Sequence, residues 1–275
     1  MNAKVAIVTG DTGALGQATA AALAQMGWAV AVASRDPGRL SRTASQIKAA
    51  NPEAQVEAIP LDLASPASVR AMAKQFRSRF EAPDALIHTA AIFLSRRQLT
   101  PEGWEVMFAT NHLGPFLLTQ LVGEAQPKEK PLRVITVTAP STTSVDFEDP
   151  QGERRFRALW AFGASKMCNL LFTYAQARRF QGTPHTANAF HPGLLRSGLM
   201  RESPAPMRLL TYLAAGPTGK AGASLASLAA DSKYASASGK FFKGEEEIRS
   251  NAYSLDPANQ ERLWELSTRL LGLAS

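Results

Sequence analysis

The sequence is poor in cysteine and has no long apolar run. Its single cysteine, Cys168, excludes an intramolecular disulfide and is compatible with a reducing compartment. An uninterrupted apolar run of about 18 residues, which a transmembrane helix needs, is missing, so no membrane span is predicted. Residues 1–5 lead straight into an apolar strand pattern without the successive regions of a secretion signal, so no signal peptide is expected. We therefore expect a cytoplasmic protein.

Low-complexity linkers and internal repeats are also missing. With 275 residues, 45% of them hydrophobic and 19% charged, the composition is that of a globular protein, and a single domain over 1–275 is predicted. The net charge of +7 indicates either a solvated basic surface or an anionic ligand. Because the basic residues are not interleaved with aromatics, no nucleic acid partner is expected. A small-molecule substrate is the expected partner.

Short apolar runs alternate with helical patterns along most of the chain. Residues 3–9 predict a buried parallel strand, and a glycine-containing turn, a helical pattern to residue 24 and a second apolar run at 28–33 complete a βαβ unit. The further predicted elements are helix 40–50, strand 55–61, helix 66–80, strand 84–89, helix 104–121, strand 133–138, a polar surface loop at 141–157, a helix containing Lys166 with its pattern at 167–180, strand 186–190, helix 222–230, strand 239–242 and helix 257–271. This order predicts an α/β fold.

The turn after the first strand carries Gly10, Gly13 and Gly16 in a G-x-x-G-x-x-G pattern. Glycines allow a tight turn and let the backbone approach a pyrophosphate, which then lies at the positive end of the following helix. A glycine-rich turn alone is weak support, because any tight βα turn favours glycine. Within a βαβ unit it predicts a dinucleotide site, to which Thr12 and Leu15 also belong.

The end of the second predicted strand bears on the choice between NADP and NAD. An acidic residue at this place would accept hydrogen bonds from the adenosine ribose and favour NAD. Ser34 stands there with Arg35 beside it, and a hydroxyl with a guanidinium suits a 2′-phosphate. NADP(H) is therefore expected in preference to NAD(H). Asp36 leaves NAD open, and the alternative is that Arg35 is an ordinary surface residue.

The regular alternation weakens after residue 193. Residues 194–217 contain several prolines around an apolar patch at 207–215. We expect either a mobile substrate flap, which would shape a pocket for a hydrophobic or aromatic ligand, or ordinary core packing.

These motifs in this order resemble the short-chain dehydrogenase/reductase family over essentially the whole chain, and most of all its retinol-dehydrogenase-like and WW-domain-oxidoreductase-like branch. The stretches that carry the resemblance are TGDTGALG at 9–16, ASRD at 33–36, NHLGPFLLT at 111–119, HPG at 191–193, GKFF at 239–242 and RLWELS at 262–267. Chance similarity across all six is implausible.

The resemblance implies a single Rossmann-type, doubly wound parallel sheet of about seven strands flanked by helices, with NADP along the strand C-termini. It places the three glycines at the pyrophosphate. The other cofactor contacts that it implies are Asp62 and Leu63 at the adenine, Lys166 at the nicotinamide ribose, and Pro192, Gly193, Leu195 and Ser197 around the carboxamide. Ala90 and Ala91 replace the end of the family's Asn-Asn-Ala-Gly motif, with His88 and Thr89 at its two Asn positions. It also implies a homodimer or homotetramer formed through the fourth and fifth helices, and no metal is expected.

Two catalytic positions depart from the family pattern. The family's Asn and Lys fall on Asn111 and Lys166, but its Tyr falls on Phe162 and its Ser on Ala139. On a helix, Phe162 and Lys166 are four residues apart and point the same way. Ser141, two residues after Ala139, replaces the lost hydroxyl only if the loop between them is reshaped.

The two missing hydroxyls weaken ordinary carbonyl chemistry. Hydride reduction of a carbonyl leaves a developing alkoxide that needs a proton and hydrogen-bond donors. Loss of a positioned general acid typically costs about 10²–10⁴ in rate, roughly 3–5 kcal/mol. Lys166 can still hold the nicotinamide ribose, since that role needs only an ammonium group. Cofactor binding should survive where ordinary alcohol or ketone turnover should not.

Three functions remain open. The favoured one is an NADP(H)-dependent oxidoreductase that acts without Tyr on an acceptor whose reduced form is a weak base, such as a quinone or a flavin-like ring. His88, His112, His191 or a water is a candidate proton source, although histidines in this fold more often pack or lie at the surface. The alternatives are a pseudoenzyme that binds NADP(H) as a sensor or regulator, and a non-catalytic partner of an active relative.

Overall fold

A computed structural model of the chain describes residues 3–10, 13–195, 199 and 216–274. The described strands are β1 (Val5–Thr9), β2 (Ala29–Ser34), β3 (Val56–Pro60), β4 (Ala85–His88), β5 (Arg133–Val137), β6 (Thr186–His191), β7 (Phe241–Lys243) and β8 (Glu246–Glu247). They form one sheet in the order β3-β2-β1-β4-β5-β6-β7-β8. The first seven pair in parallel, and β8 is antiparallel to β7. The predicted parallel sheet of about seven strands is confirmed. The short β8, two exposed glutamates, has no apolar pattern to predict it.

The described helices are α1 (Ala14–Gln25), α2 (Pro37–Ala50), α3 (Pro66–Arg77), α4 (Val106–Phe108), α5 (Gly114–Glu124), α6 (Ala158–Arg179), α7 (Thr218–Ala230), α8 (Ala252–Leu255) and α9 (Pro257–Leu270), with a π-helical turn at Ala109–Leu113 and a 3₁₀ turn at Ser232–Tyr234. Three of the helices begin at a proline whose preceding residue, Asp36, Ser65 or Asp256, caps the first turn with its side chain. Among the described helices, none is both long and apolar enough to cross a bilayer.

Helices cover both faces of the sheet, which explains why the central strands read as continuous apolar runs. Every residue of β1 and β2 is buried. Helices α1, α2 and α7 enclose one apolar cluster, and α3, α5, α6 and α9 enclose the other. On the first face, α7 approaches α1 at Gly222, where an added Cβ would lie 2.5 Å from the Cβ of Ala18. This doubly wound arrangement leaves the carboxyl ends of the strands as the open edge.

Two predicted helices differ from those observed. The predicted helix at 104–121 is divided into α4, the π-helical turn and α5. Pro115 has no N–H to donate to the carbonyl of Asn111, four residues earlier, so regular α-helical bonding is interrupted here. The helical pattern at 167–180 is the second half of α6, which already begins at Ala158. The predicted loop at 141–157 lies between β5 and α6 without a helix or strand.

The last helix, α9, packs over α5 and α6. The Trp264 ring lies 4.8 Å from the ring centroid of Phe116 on α5 and 6.3 Å from that of Phe172 on α6. The Arg179 guanidinium stacks on the outer side of Trp264, 3.7 Å from its ring centroid. Between this layer and the sheet, α6 is buried continuously over residues 164–177.

Candidate functional site

The candidate site lies where β1 and β4 are neighbours, although β2 and β3 come between them in the chain. Strands β2 and β3 lie on one side of this pair, and β5 to β8 lie on the other. The change of direction leaves a crevice beyond the ends of β1 and β4, where doubly wound folds bind ligands. Predicted site residues lie within two residues of the ends of four strands: Gly10 after β1, Ala90 after β4, Ala139 after β5 and Pro192 after β6. The topology therefore gathers them at one edge of the sheet.

The turn after β1 requires glycine at its first position. Gly10 has φ of +75°, in the left-handed region that favours glycine. A Cβ on Gly10 would lie 2.6 Å from the Cα and the backbone N of Ala90. Its N–H donates to the carbonyl of Ala33, 2.8 Å away, at the end of β2. The turn is thus fixed against two neighbouring strands.

The same turn presents the start of α1 to the crevice. Gly13 is the N-cap residue of α1, and its N–H donates to the carbonyl of Gly10 at 2.9 Å. Since glycine has no side chain with which to cap, the first N–H groups of α1 have no partner from the N-cap. Leu15 and Gly16 lie buried in the first turn. Thr12, also predicted to be a site residue, lies outside the described residues.

The end of β2 separates the three residues that bear on cofactor choice. Ser34 is buried, and its hydroxyl has no hydrogen-bond partner among the residues that the structure describes. Arg35 is exposed beside it. The Asp36 side chain is bonded to the start of α2: its Oδ1 accepts from the N–H of Arg39 at 3.0 Å and caps the helix. One carboxylate oxygen of Asp36 is therefore bonded to the helix, while the Ser34 hydroxyl is bonded to no described residue.

Asp62 and Leu63 follow β3. The Asp62 N–H donates to the hydroxyl of Ser68 at 2.9 Å, and its Oδ1 accepts from the N–H of Ala64 at 3.0 Å. Leu63 is buried against Gly114, the first residue of α5, which has no room for a Cβ. Both predicted residues therefore lie in an ordered wall of the crevice.

Asn111 holds the chain that follows β4. Its Oδ1 accepts from the N–H of Ile92 at 2.8 Å, and its Nδ2 donates to the carbonyl of Ile92 and to the hydroxyl of Ser165, each at 3.0 Å. The Ser165 hydroxyl in turn donates to the carbonyl of Phe162 at 2.8 Å. Asn111 is fully buried, and both of its amide protons are used. It ties the segment containing Ala91 to α6 and has no side-chain donor left for a substrate.

Phe162 and Lys166 face the same space on α6, as their spacing predicts. The Lys166 Nζ lies 5.4 Å from the centroid of the Phe162 ring. On its other side, Phe162 makes an edge-to-face contact with Phe93 at 5.7 Å between centroids. Lys166 is only 5% exposed, and burial lowers the pKa of its ammonium to about 8. No described residue gives this ammonium a hydrogen bond or an ion pair.

The segment after β5 does not supply the missing hydroxyl. The Thr138 hydroxyl donates to the carbonyl of Lys166 at 2.7 Å, so it is bound to the α6 backbone. Ala139, the residue to which the resemblance assigns the family's serine, is half-buried. The Ser141 hydroxyl donates to the carbonyl of Gly163 at 2.8 Å and accepts from the N–H of Thr143 at 3.2 Å. Ser141 therefore anchors its loop to α6, and its proton is already used.

The residues after β6 form the last wall. Pro192 and Gly193 follow the strand directly, and Gly193 has φ of +74° with open space where a Cβ would be. Leu195 pairs with Gly216 in an isolated parallel bridge, so the two ends of the predicted flap lie side by side. Ser197 and most of the flap, residues 196–198 and 200–215, lie outside the described residues.

Two of the three histidines considered as proton sources are core residues. His88 pairs with the Thr119 hydroxyl at 2.9 Å, and His112 with the Ser267 hydroxyl at 2.7 Å. Burial lowers the pKa of both imidazoles to about 3, so they are neutral at neutral pH. His191, at the end of β6, is half-buried, and its pKa is lowered chiefly by burial and also by the nearby Lys243. His88 and His112 are not acids for this site.

Sequence reasoning missed two residues beside Phe162. Phe93 supplies the second ring of an apolar wall, and its only sequence signal is its place four residues after the end of the fourth predicted strand. The side chain of Thr143 occupies the place where Gly163 would carry a Cβ. A glycine next to Phe162 in a helical pattern was the available signal, since it indicates that another segment approaches closely.

These residues fit a nicotinamide dinucleotide. The Gly10 turn leaves no room for a side chain, the start of α1 offers N–H groups to a pyrophosphate, and Ser34 has a buried hydroxyl without a partner. Lys166 keeps an ammonium free of other partners among the described residues. The groups present thus match the donors that a dinucleotide requires.

Comparison with known proteins agrees with this geometry. The family profile described as short chain dehydrogenase matches residues 4–207. Retinol dehydrogenase 12 of Mus musculus is 35% identical over 276 residues, which cover 98% of this chain and 87% of that protein. A crystal structure of an uncharacterized protein from Mycobacterium Paratuberculosis has a TM-score of 0.75 and 28% identity, over 98% of this chain and 94% of that one. An actinorhodin polyketide ketoreductase with NADPH, at a TM-score of 0.70 and 20% identity over 88% and 95% of the two chains, shows the same fold. This chain therefore belongs to the short-chain dehydrogenase/reductase family, in its retinol-dehydrogenase-like branch.

Proposed function

We propose that the chain is an NADP(H)-dependent oxidoreductase that transfers a hydride to or from a hydrophobic or aromatic small molecule without a tyrosine general acid. The observation that carries the proposal is the buried, unpartnered ammonium of Lys166 beside the Phe162 ring. A lysine buried without a counter-charge is costly unless a ligand uses it. Bound nicotinamide cofactor would supply or accept the hydride, and Lys166 would hold its ribose.

The preference for NADP(H) rests on the end of β2. The exposed guanidinium of Arg35 and the unpartnered hydroxyl of Ser34 suit a 2′-phosphate, while one oxygen of the Asp36 carboxylate is used to cap α2. We expect Arg35→Ala to raise the Kd for NADPH by about 10–100-fold, because a charge-assisted hydrogen bond contributes about 1.5–3 kcal/mol. The Kd for NADH should stay unchanged. Arg42→Ala, an exposed arginine on α2, is the matched control.

The apolar substrate class is supported by the Phe93–Phe162 pair at the site wall. The similar mouse protein is named a retinol dehydrogenase, which also favours an apolar substrate here. Quinones and flavin-like rings fit the missing acid best, because their reduced anions need less proton assistance than an alkoxide.

The alternative is a pseudoenzyme that binds NADP(H) as a sensor, a regulator or a partner subunit. It is favoured by the same site, where the Asn111, Ser141 and Thr138 side chains are all bonded to backbone groups. A titration that follows NADPH fluorescence tests first whether the chain binds the cofactor. No binding at millimolar cofactor would rule out both the enzyme and the sensor. If NADPH binds, its consumption with quinones, flavins and retinoid or other aldehydes distinguishes an enzyme from a sensor.

Assembly and location stay predictions. A homodimer or homotetramer through the fourth and fifth helices, here α5 and α6, would have to use the parts of these helices that α9 leaves uncovered. Size-exclusion chromatography with light scattering measures the assembly, and fractionation of cells tests the expected cytoplasmic location.

A further inference from the structure

We propose that Lys166 itself donates the proton to the reduced substrate, in place of the tyrosine that the site lacks. The assignment rests on the proposed oxidoreductase function and adds a second role to a residue that otherwise only holds the cofactor. It makes Lys166 the general acid of the reaction.

The Lys166 ammonium differs from the other protic groups around it in having no acceptor among the described residues. Asn111 uses both amide protons, and the hydroxyls of Ser165, Ser141 and Thr138 each donate to a backbone carbonyl of α6. Lys166 alone, among the protic side chains tied to this part of α6, has protons without an acceptor in the described structure. It faces the Phe162 ring, where the family has its acid.

The surroundings of Lys166 also favour release of its proton. Burial lowers the pKa of Lys166 to about 8, near the value at which a group can both carry and release a proton at neutral pH. Titratable or charged side chains lie on the elements and loops packed against α6. They are Glu105, His112, Glu124, Arg133, Asp146, Glu148, Asp149, Glu153, Arg154, Arg155, Arg157, His191, Glu247, Tyr253, Glu261, Arg262, Glu265 and Arg269, with Cys168, Tyr174, Arg178 and Arg179 on α6 itself. Burial is the sole cause of the shift at Lys166, so no counter-charge among them holds its proton in place.

The step is balanced as follows for a quinone acceptor. The acceptor gains two electrons and one hydrogen as a hydride, which NADPH supplies as it is oxidised to NADP⁺. The reduced acceptor is then an anion, and its oxygen takes one proton from Nζ, directly or through one water. One N–H bond breaks as one O–H bond forms, and the neutral amine regains its proton from water.

The kinetic test compares Lys166→Arg and Lys166→Met with the unchanged protein, using NADPH and a quinone series. For the unchanged protein, kcat should fall about tenfold per pH unit above pH about 8, because only the protonated amine donates. Lys166→Arg keeps the charge at every pH but does not release its proton. We expect it to bind NADPH within a few-fold of the unchanged protein and to lose kcat by about tenfold with quinones, and by about 10²–10⁴ with aldehydes, whose alkoxide needs more proton assistance. Lys48→Met, an exposed lysine on α2, should change neither quantity.

A second readout does not depend on turnover. Carbon-13-labelled lysine side chains are followed by NMR against pH, and the signal missing from Lys166→Arg identifies Lys166. A midpoint near pH 8 supports the assignment, and a midpoint above about 10 overturns it. Circular dichroism verifies that the variants remain folded.

The outcomes separate the two proposals. Turnover that continues in Lys166→Arg, or that does not depend on pH around 8, overturns the proton assignment and leaves the oxidoreductase function standing. No turnover with any acceptor overturns both. Loss of kcat in Lys166→Arg with NADPH binding retained, together with the fall of kcat above pH about 8 in the unchanged protein, supports Lys166 as the acid, since at saturating NADPH a residue that only held the ribose would not impose that pH dependence.

Discussion

The clearest test of the site geometry is to restore a phenol with Phe162→Tyr and to measure its pKa. An ordinary tyrosine titrates near about 10. The Lys166 ammonium lies 5.4 Å from the ring centroid at this position. With an effective dielectric constant of about 20, a unit charge at that distance favours the phenolate by about 3 kcal/mol, which is about two pK units.

The new phenol should therefore begin to ionise near pH 8. Lys166 has its own pKa of about 8, so the phenol and the ammonium titrate as a coupled pair. Only part of the tyrosinate signal will develop near pH 8, and the rest will appear above 10. The measurement is the tyrosinate ultraviolet difference spectrum of Phe162→Tyr against the unchanged protein, which cancels the four native tyrosines.

The matched control is the double variant Phe162→Tyr with Lys166→Met, in which the low step should vanish. A phenol that titrates in one step near or above 10 in a folded Phe162→Tyr protein would refute the placement of Lys166 against this position. Phe162→Tyr combined with Ala139→Ser, with Lys166 unchanged, should gain carbonyl reductase activity, since this pair of changes restores both lost donors. If the phenol shifts but no activity appears, the pocket has diverged as well as the acid.

Two further predictions concern stability. Gly222→Ala should lower the free energy of unfolding in urea by about 1–3 kcal/mol, because its Cβ would lie 2.5 Å from that of Ala18. Gly219→Ala on the same helix is the control. Because Gly219 has open space around it, this change should be neutral or stabilising by up to about 1 kcal/mol. His88 and His112 have folded pKa values lowered to about 3, below the ordinary 6.5, so the unfolded chain binds protons first and stability falls as the pH drops from about 6.5 towards 3. At pH 5 each group should cost about 2 kcal/mol relative to pH 8, and His88→Gln should flatten this slope; an equally steep slope in that variant would contradict the attribution.

The sequence predicted the elements whose apolar residues follow a clear local pattern. The strands β1 and β2 are apolar throughout because both faces are covered by helices, and so their runs are unmistakable. The divided helix around Asn111 was not predicted, because a single proline within an apolar stretch does not reveal whether it ends a helix or widens one turn.

The bonding state of the site residues also lay beyond the sequence. Spacing predicted that Phe162 and Lys166 share a face. It could not show that the Ser141 hydroxyl is bound to the carbonyl of Gly163, because that contact depends on how a loop of irregular backbone returns to α6. Nor could it show that both amide protons of Asn111 are already donated. Its bonds to Ile92 use backbone atoms, which every residue carries, so the identity of residue 92 gives no signal.

The position of α9 has a consequence for how the protein is made. Phe116 and Phe172 are synthesised long before Trp264, the residue that covers them. During synthesis from the N-terminus, this helical layer presents an aromatic surface to solvent and to chaperones until the segment 257–270 has left the ribosome. The layer that holds α6, and with it Lys166, is therefore completed only after residues 257–270 have been synthesised.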